Sequence, residues 1–198
     1  MAKRKVMEEI DVKLHPSASV PEKGNEFAAG YDVHPIEVKM IAHNGHCVTC
    51  TTIEQIKEEC KKLRKNDKRS LWKCIKDFIC DEQPQKGWKQ LWFNSGIMIA
   101  PQNVNLYLSA EPCSRTVKTD YVLHNSLGTI DNDYRGYVYL IYHAVCQTYD
   151  EDSIVRLFNT CGQLKGKYST EMQFNVKEEL SNTTRGEGGF GSTEKNAK

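Results

Sequence analysis

Two stretches of this chain carry residues whose types and spacing could handle a nucleotide. The first is Arg185-Gly186-Glu187-Gly188-Gly189-Phe190-Gly191-Ser192-Thr193. Four glycines in six positions leave a backbone free enough, and small enough, to wrap phosphates. An arginine can fork onto phosphate oxygens, and a phenyl ring can lie flat on a base. The stretch lacks the Lys-Ser/Thr ending of a Walker loop and follows no obvious buried strand, so it is not an ATPase signature. Alone, it reads more simply as a plain flexible tail. As a working segment it would be loose when empty and would close over a bound nucleotide.

The second stretch is His124-Asn125-Ser126-Leu127-Gly128-Thr129-Ile130-Asp131-Asn132-Asp133-Tyr134-Arg135-Gly136. It reads as a strand, a turn, and a further strand beginning at Tyr137. Such a hairpin can offer backbone donors and acceptors to the edge of a flat ligand, and Asp131 could position a water. Taken alone, the same residues make an ordinary Asn/Asp/Gly turn.

The elements holding these residues must come from a chain of 198 residues, which suits one domain with an appendage or two small ones and can bury a real core. Basic and acidic residues nearly cancel, 27 against 26, which implies no bulk attraction to nucleic acid or membrane. No apolar run reaches membrane-spanning length, and Met-Ala-Lys-Arg-Lys lacks the apolar stretch of a signal peptide. The chain is therefore expected to be cytoplasmic, in a host cytoplasm if the source is a virus or phage. Eight cysteines without an export signal are expected to be reduced thiols, most of them buried. Cys47-Val-Thr-Cys50, with His43 and His46 before it, has the look of half a zinc site. Cys60, Cys74 or Cys80 could complete it, and ordinary core thiols are the alternative.

Strand patterns are expected at Val6–Leu14, Val33–Ile41, Leu91–Phe93, Ile97–Ala100, Val104–Leu108, Val117–Leu123, Val138–Tyr142, Ile154–Phe158 and Met172–Val176. Pro, Gly and Ser punctuate a loop over Pro16–Gly30. Between the early and later strands the period changes. Thr51-Thr52-Ile53-Glu54 fits a capping box, and Ile53, Ile56, Cys60 and Leu63 keep helical spacing. After Asn66-Asp67, residues Leu71, Cys74 or Ile75, Phe78 and Ile79 share one face of a second helix. The pattern predicts a helical hairpin set into a β-rich chain, and many short strands predict a closed or two-sheet antiparallel fold.

Together the two opening stretches resemble the trimeric dUTP pyrophosphatases (dUTPases), which share five short motifs in fixed order. Ala29-Gly30-Tyr31-Asp32-Val33 looks like the first motif, and Pro112-Cys113-Ser114-Arg115 occupies the place of the second. Gly128 through Gly136 closely matches the third, Asn159-Thr160-Cys161-Gly162-Gln163-Leu164 faintly matches the fourth, and the tail matches the fifth. The resemblance implies an all-β, jelly-roll or β-clip domain over residues 1–198. It would carry a helical insertion at 43–88 and a flexible glycine-rich C-terminal lid at 182–198.

The resemblance also implies hydrolysis of dUTP to dUMP and pyrophosphate, by attack of water on the α-phosphorus. Asp131 would orient and activate that water, a step whose loss typically costs on the order of 10²–10⁴ in rate. Tyr134 would pack under deoxyribose and exclude a 2′-OH. Asn125 and the backbone through Gly128 would read the edge of uracil. Sites that leave a wrong base's polar groups unpaired discriminate by roughly 10⁴–10⁵. Ser114 and Gln163 would contact phosphate. In the tail, Arg185 would grip phosphate, Phe190 would stack on uracil, Gly191 would join the substrate-binding residues, and Ser192 and Thr193 would close on the γ-phosphate. Mg²⁺ is implied as cofactor, with Asp32 in its outer shell. A homotrimer with active sites shared between subunits is implied as the assembly.

Two departures stand out. Cys113 replaces an arginine usual in motif two, so a phosphate or intersubunit contact is missing or is supplied by Arg115 from a shifted position. Thr160 stands where an arginine is common in motif four. The insertion is locally basic, which reads as a solvated hairpin packed on the core or as a docking surface for a protein or nucleic acid. Two other readings stay open: a dCTP deaminase of the same fold, and a dUTPase-derived binding or regulatory protein with weakened catalysis.

Overall fold

Alternating burial in short β-branched stretches gives this chain its strands. In Glu37–Ala42, Val38, Met40 and Ala42 are buried while Lys39 is exposed, the period-two pattern of a sheet with one wet face. The computed structural model describes residues 8–66, 87–146 and 150–168. Within them the strands are β1 Ile10–Leu14, β2 Tyr31–Val33, β3 Glu37–Ala42, β4 Cys47–Cys50, β5 Trp88–Asn94, β6 Ile97–Pro101, β7 Leu106–Glu111, β8 Tyr121–Leu123, β9 Gly128–Ile130, β10 Tyr139–Ala144 and β11 Gly162–Tyr168. Two α-helices, α1 Ile53–Asn66 and α2 Glu151–Asn159, and a 3₁₀ turn at Ser114–Lys118 complete the described elements.

The strands form one sheet in the order β4-β3-β5-β10-β8, a second in the order β2-β11-β7-β9, and an antiparallel pair of β1 with β6. Every pairing is antiparallel. The inward faces of the two larger sheets share one apolar cluster, to which Met40, Leu91, Phe93, Leu140 and Tyr142 bring side chains from the first, and Leu108, Ala110 and Leu164 from the second. The β-rich, two-sheet expectation therefore holds.

Several boundaries differ from the sequence expectation. Val33–Ile41 is two strands, because Pro35 lacks an N–H for the ladder and ends β2. Val117–Leu123 divides between the 3₁₀ turn and β8. Ile154–Phe158 is not a strand but the body of α2. The Asp150 side chain caps the helix by accepting from Asp152 N at 3.0 Å, and Ile154 and Leu157, three apart, bury one helical face. β-branched composition suggested a strand; the cap and the i, i+3 spacing decide for helix.

The described part of the insertion is built into the core. Thr52 Oγ1 accepts from Gln55 N at 3.2 Å and Gln55 Oε1 accepts from Thr51 N at 2.8 Å, so the capping exchange uses Gln55 rather than Glu54. Ile56, Cys60 and Leu63 lie on one helix face and are buried with Trp88, whose Nε1 donates to Cys60 Sγ at 3.3 Å. Full burial of an aliphatic side chain of this size contributes about 1.5–3 kcal/mol, enough to anchor α1. The second helix expected around Leu71–Ile79, the strand expected at Met172–Val176 and the tail at 182–198 lie outside the described residues.

Candidate functional site

The turn after β9 is held by its own neighbours. Tyr134 N donates to Asp131 O at 3.1 Å, and Tyr134 Oη donates to Tyr137 O at 3.0 Å. A Cβ on Gly136 would lie 2.3 Å from Tyr134 Oη, so only glycine lets the ring fold back over the turn. Asn132 Nδ2 lies within hydrogen-bonding distance of three carbonyls, those of Pro101, Asn103 and Leu106, at 3.2, 2.9 and 3.0 Å. That amide staples the turn to the loop joining β6 and β7, a role the sequence reading did not assign. Its only signal was an Asn between two Asp residues in a tight turn.

Beside this turn a cleft of about 240 Å³ is lined by Ala110, Asn125, Gly128, Asp131, Tyr134 and Ile141, among others. Gly128 has no side chain, so Ala110, its partner on β7, forms part of the wall. A Cβ on Gly128 would meet Asn125 Nδ2 at 2.9 Å and Asn125 O at 3.1 Å, which keeps the Asn125 loop folded against β9. Four residues singled out from the sequence thus converge: Asn125, Gly128, Asp131 and Tyr134. Tyr139 and Ile141 of β10 also line the cleft. They were legible as strand residues but not as site residues, because their place depends on the pairing of β10 with β8. A polar hairpin edge, an apolar wall, an exposed tyrosine ring and an exposed carboxylate suit a flat heterocycle on a small sugar.

The other sequence-derived residues gather elsewhere. Gln163 Nε2 donates to Asp32 Oδ1 at 2.8 Å across the β11–β2 pair. Gly30 leaves room for that glutamine, since a Cβ there would lie 2.9 Å from Gln163 Oε1. Arg115 Nη1 donates to Thr160 Oγ1 at 3.0 Å, and its Nη2 lies 3.9 Å from Asp32 Oδ2. Exposed Ser114 opens the 3₁₀ turn next to it, while Cys113 is buried. This group sits at the β2 edge of a sheet whose opposite edge, β9, carries the cleft. Three strand spacings are roughly 14 Å, and none of Asp32, Ser114, Arg115 or Gln163 lines the cleft. Between the two edges, Lys165 beside Glu111 holds that carboxyl down at about 2, with Ser109 and Lys167 as further donors.

The zinc expectation finds no support among the described residues. Cys47 and Cys50 are three apart on a strand and point to opposite faces, one exposed and one buried. No three His, Cys, Asp or Glu side chains among the described residues could hold a metal together. Burial pushes the Cys50 and Cys60 thiols up to about 11, which keeps them protonated core groups. No helix of the described residues is long and apolar enough to cross a membrane.

No family model matches the sequence. Over 181 residues, 91% of this chain and 92% of the relative, it is 28% identical to the deoxyuridine 5'-triphosphate nucleotidohydrolase of Helicobacter pylori (strain Shi470). A stretch of 76 residues, 38% of this chain and 49% of the relative, is 41% identical to the enzyme of that name from Bdellovibrio bacteriovorus. Over nearly its whole length the chain is similar to dUTPases. Its fold agrees: a dUTPase of Staphylococcus bacteriophage 80alpha, solved with dUpNHpp, matches at a TM-score of 0.57 and 14% identity, covering 94% of this chain and 99% of that one. A dUTPase of phage phi11 of S. aureus, described for its coordination of a structural Mg(II) ion, matches at 0.54 and 12% identity over 88% of this chain and 99% of that one. In this chain, the residues that resemble motif three line the cleft, and those that resemble motifs one, two and four form the Asp32–Arg115–Gln163 group.

Proposed function

We propose that the protein hydrolyses dUTP to dUMP and pyrophosphate. The observation that carries this reading is the convergence of Asn125, Gly128, Asp131 and Tyr134 on one cleft. In it the hairpin edge from Asn125 to Gly128 pairs with uracil, and a base with donor and acceptor exchanged would leave buried groups unpaired. Tyr134 packs under the deoxyribose and leaves no room for a 2′-hydroxyl. Asp131 accepts a hydrogen bond from the attacking water and takes its proton as the bond to the α-phosphorus forms.

Phosphate binding falls to the other group. Ser114 offers a hydroxyl, Arg115 an exposed guanidinium and Gln163 an amide, while Arg185, Phe190, Gly191, Ser192 and Thr193 close over the nucleotide. The separation of the two groups on one chain supports a site completed between copies, with the cleft of one subunit facing the Asp32–Arg115–Gln163 edge of another. A homotrimer is the assembly this reading adopts.

The donor set suits a magnesium ion that arrives with the triphosphate rather than one caged by protein. Asp32 already faces Gln163 and Arg115, and no three-ligand cluster stands among the described residues. Such an ion would neutralise phosphate charge, and Asp32 would be the carboxylate nearest to help hold it. The buried Cys113 in place of a motif-two arginine favours a second reading, a nucleotide-binding regulatory protein with weakened turnover. Assaying pyrophosphate from dUTP, dCTP, dTTP and UTP with Mg²⁺, and ammonia from dCTP, decides among these. Rapid release from dUTP alone supports the proposal; binding without release supports the second reading; ammonia from dCTP points to a deaminase.

A further inference from the structure

The imidazoles of His124 and His143 are stacked, with ring centroids 3.9 Å apart and planes 10° from parallel. The pair lies on the outer face of the five-stranded sheet, at the root of the hairpin that walls the cleft. Alternation along β8 buries Tyr121 and Leu123 and turns Val122 outward, and exposed His124 follows directly. His124 N donates to Ile141 O at 2.7 Å, fixing the last residue before Asn125 onto β10. Ile141 itself lines the cleft, and its N–H lies 3.5 Å from Asn125 Oδ1. That backbone bond holds one side of the hairpin root, and the ring stack holds the other.

His143 is in turn held from β5. Its Nε2 meets the Gln90 amide, and Gln90 Oε1 accepts from Trp92 Nε1 at 3.2 Å. A line of contacts therefore runs Trp92, Gln90, His143, His124 and ends beside Asn125. We infer that His143 is a positioning residue for the base-reading hairpin, bracing His124 while neutral and releasing it on protonation. The inference rests on the proposed function for the hairpin's task; the packing relation is independent of it.

The sign follows from what faces the ring. Burial first, then His124 just after β8 and Lys89 of β5, lower the affinity of His143 for a proton. Its other neighbours on that face, Gln90, Val122 and Ile141, are uncharged, and Lys39 of β3 stands further off, opposite Trp92. A proton on His143 thus enters a partly desolvated site beside a positive lysine and a second imidazole. The brace is complete above the ordinary histidine value, about 6.5, and is lost as pH falls through the lower folded value.

The test is an NMR titration of the full-length protein, with His143→Gln and His143→Phe beside it. The Asn125 side-chain amide and Gly128 backbone amide are expected to shift along the titration of His143, and to lose that component in both variants. Amides that ignore the titration of His143, or shift alike in all three proteins, would overturn the inference. The dUTP assay adds a second reading. KM for the parent should rise on acidification while kcat changes less. His143→Phe, which keeps a ring without a proton site, should hold KM low. His143→Gln should raise KM about three- to tenfold at every pH, the scale of one lost aromatic contact. Identical KM profiles for the parent and the Phe variant would also contradict it. A parent without dUTP turnover sinks the proposed function, and the amide titration then decides the brace by itself.

Discussion

Arg115 reaches across the fold to Thr160, donating from Nη1 to the threonine hydroxyl at 3.0 Å with Nη2 3.9 Å from Asp32. The two positions at which the chain departs from the dUTPase motifs it resembles meet through this bond: an arginine two residues beyond the usual place in motif two, and a threonine in motif four. At 3.9 Å, with Arg115 exposed, this ion pair contributes little to stability. The bond instead fixes the guanidinium's direction while leaving donors free for an anion. Arg115→Ala is expected to lower kcat/KM for dUTP about 10- to 100-fold, the range of a lost charged hydrogen bond, with Tm nearly unchanged. Arg115→Lys should recover only part, since an ammonium lacks the fork. Steady-state kinetics with a melting curve for each variant checks both.

Gly136 and Tyr134 depend on each other through shape. With a Cβ placed 2.3 Å from the Tyr134 hydroxyl, Gly136→Ala should push the ring off the turn. Discrimination of dUTP over UTP should then fall by about tenfold or more, since sugar exclusion relies on that ring's place. Comparing kcat/KM for the two nucleotides measures it.

Much of this site was legible in the sequence, for reasons of locality. Asn125, Gly128, Asp131 and Tyr134 fall within ten consecutive residues, so one turn brings them together whatever the rest does. Asp32, Arg115, Thr160 and Gln163 come from three distant segments, and only the β2–β11–β7 register joins them. Family likeness named some of them, but no local pattern announces an Arg115–Thr160 bond. The fold was legible where alternation was clean, as in β3 and β10. It was misread at Ile154–Phe158, where a β-branched run overrode the Asp150 cap and the burial spacing that make α2.

Glu111 sets an acid limit on stability. Hydrogen bonding from Lys165 holds its carboxyl at about 2, below the ordinary value of 4.5. A depressed carboxyl stabilises the fold fully above its unfolded value, and that share is lost as pH falls through the folded one. Between pH 4.5 and 2 the Tm of the parent should drop more steeply than that of Glu111→Gln. Thermal melts across that range would show the two slopes; equal slopes would remove Glu111 from the account.

The segment from Arg185 to Thr193 is assigned to closing over bound nucleotide. Ending the chain after Asn182 should leave the oligomeric state by size exclusion unaltered while turnover of dUTP collapses. A truncated protein of full activity would refute that assignment.

The central claim is that Asp131 activates water against the α-phosphorus of dUTP in the cleft beside β9. Its most direct test is pyrophosphate release from dUTP and Mg²⁺ by the parent and by Asp131→Asn, with binding of a non-hydrolysable dUTP analogue measured alongside. The account predicts release by the parent, a loss on the order of 10²–10⁴ or more in the variant, and analogue binding by both. Release at the parental rate from Asp131→Asn would contradict it.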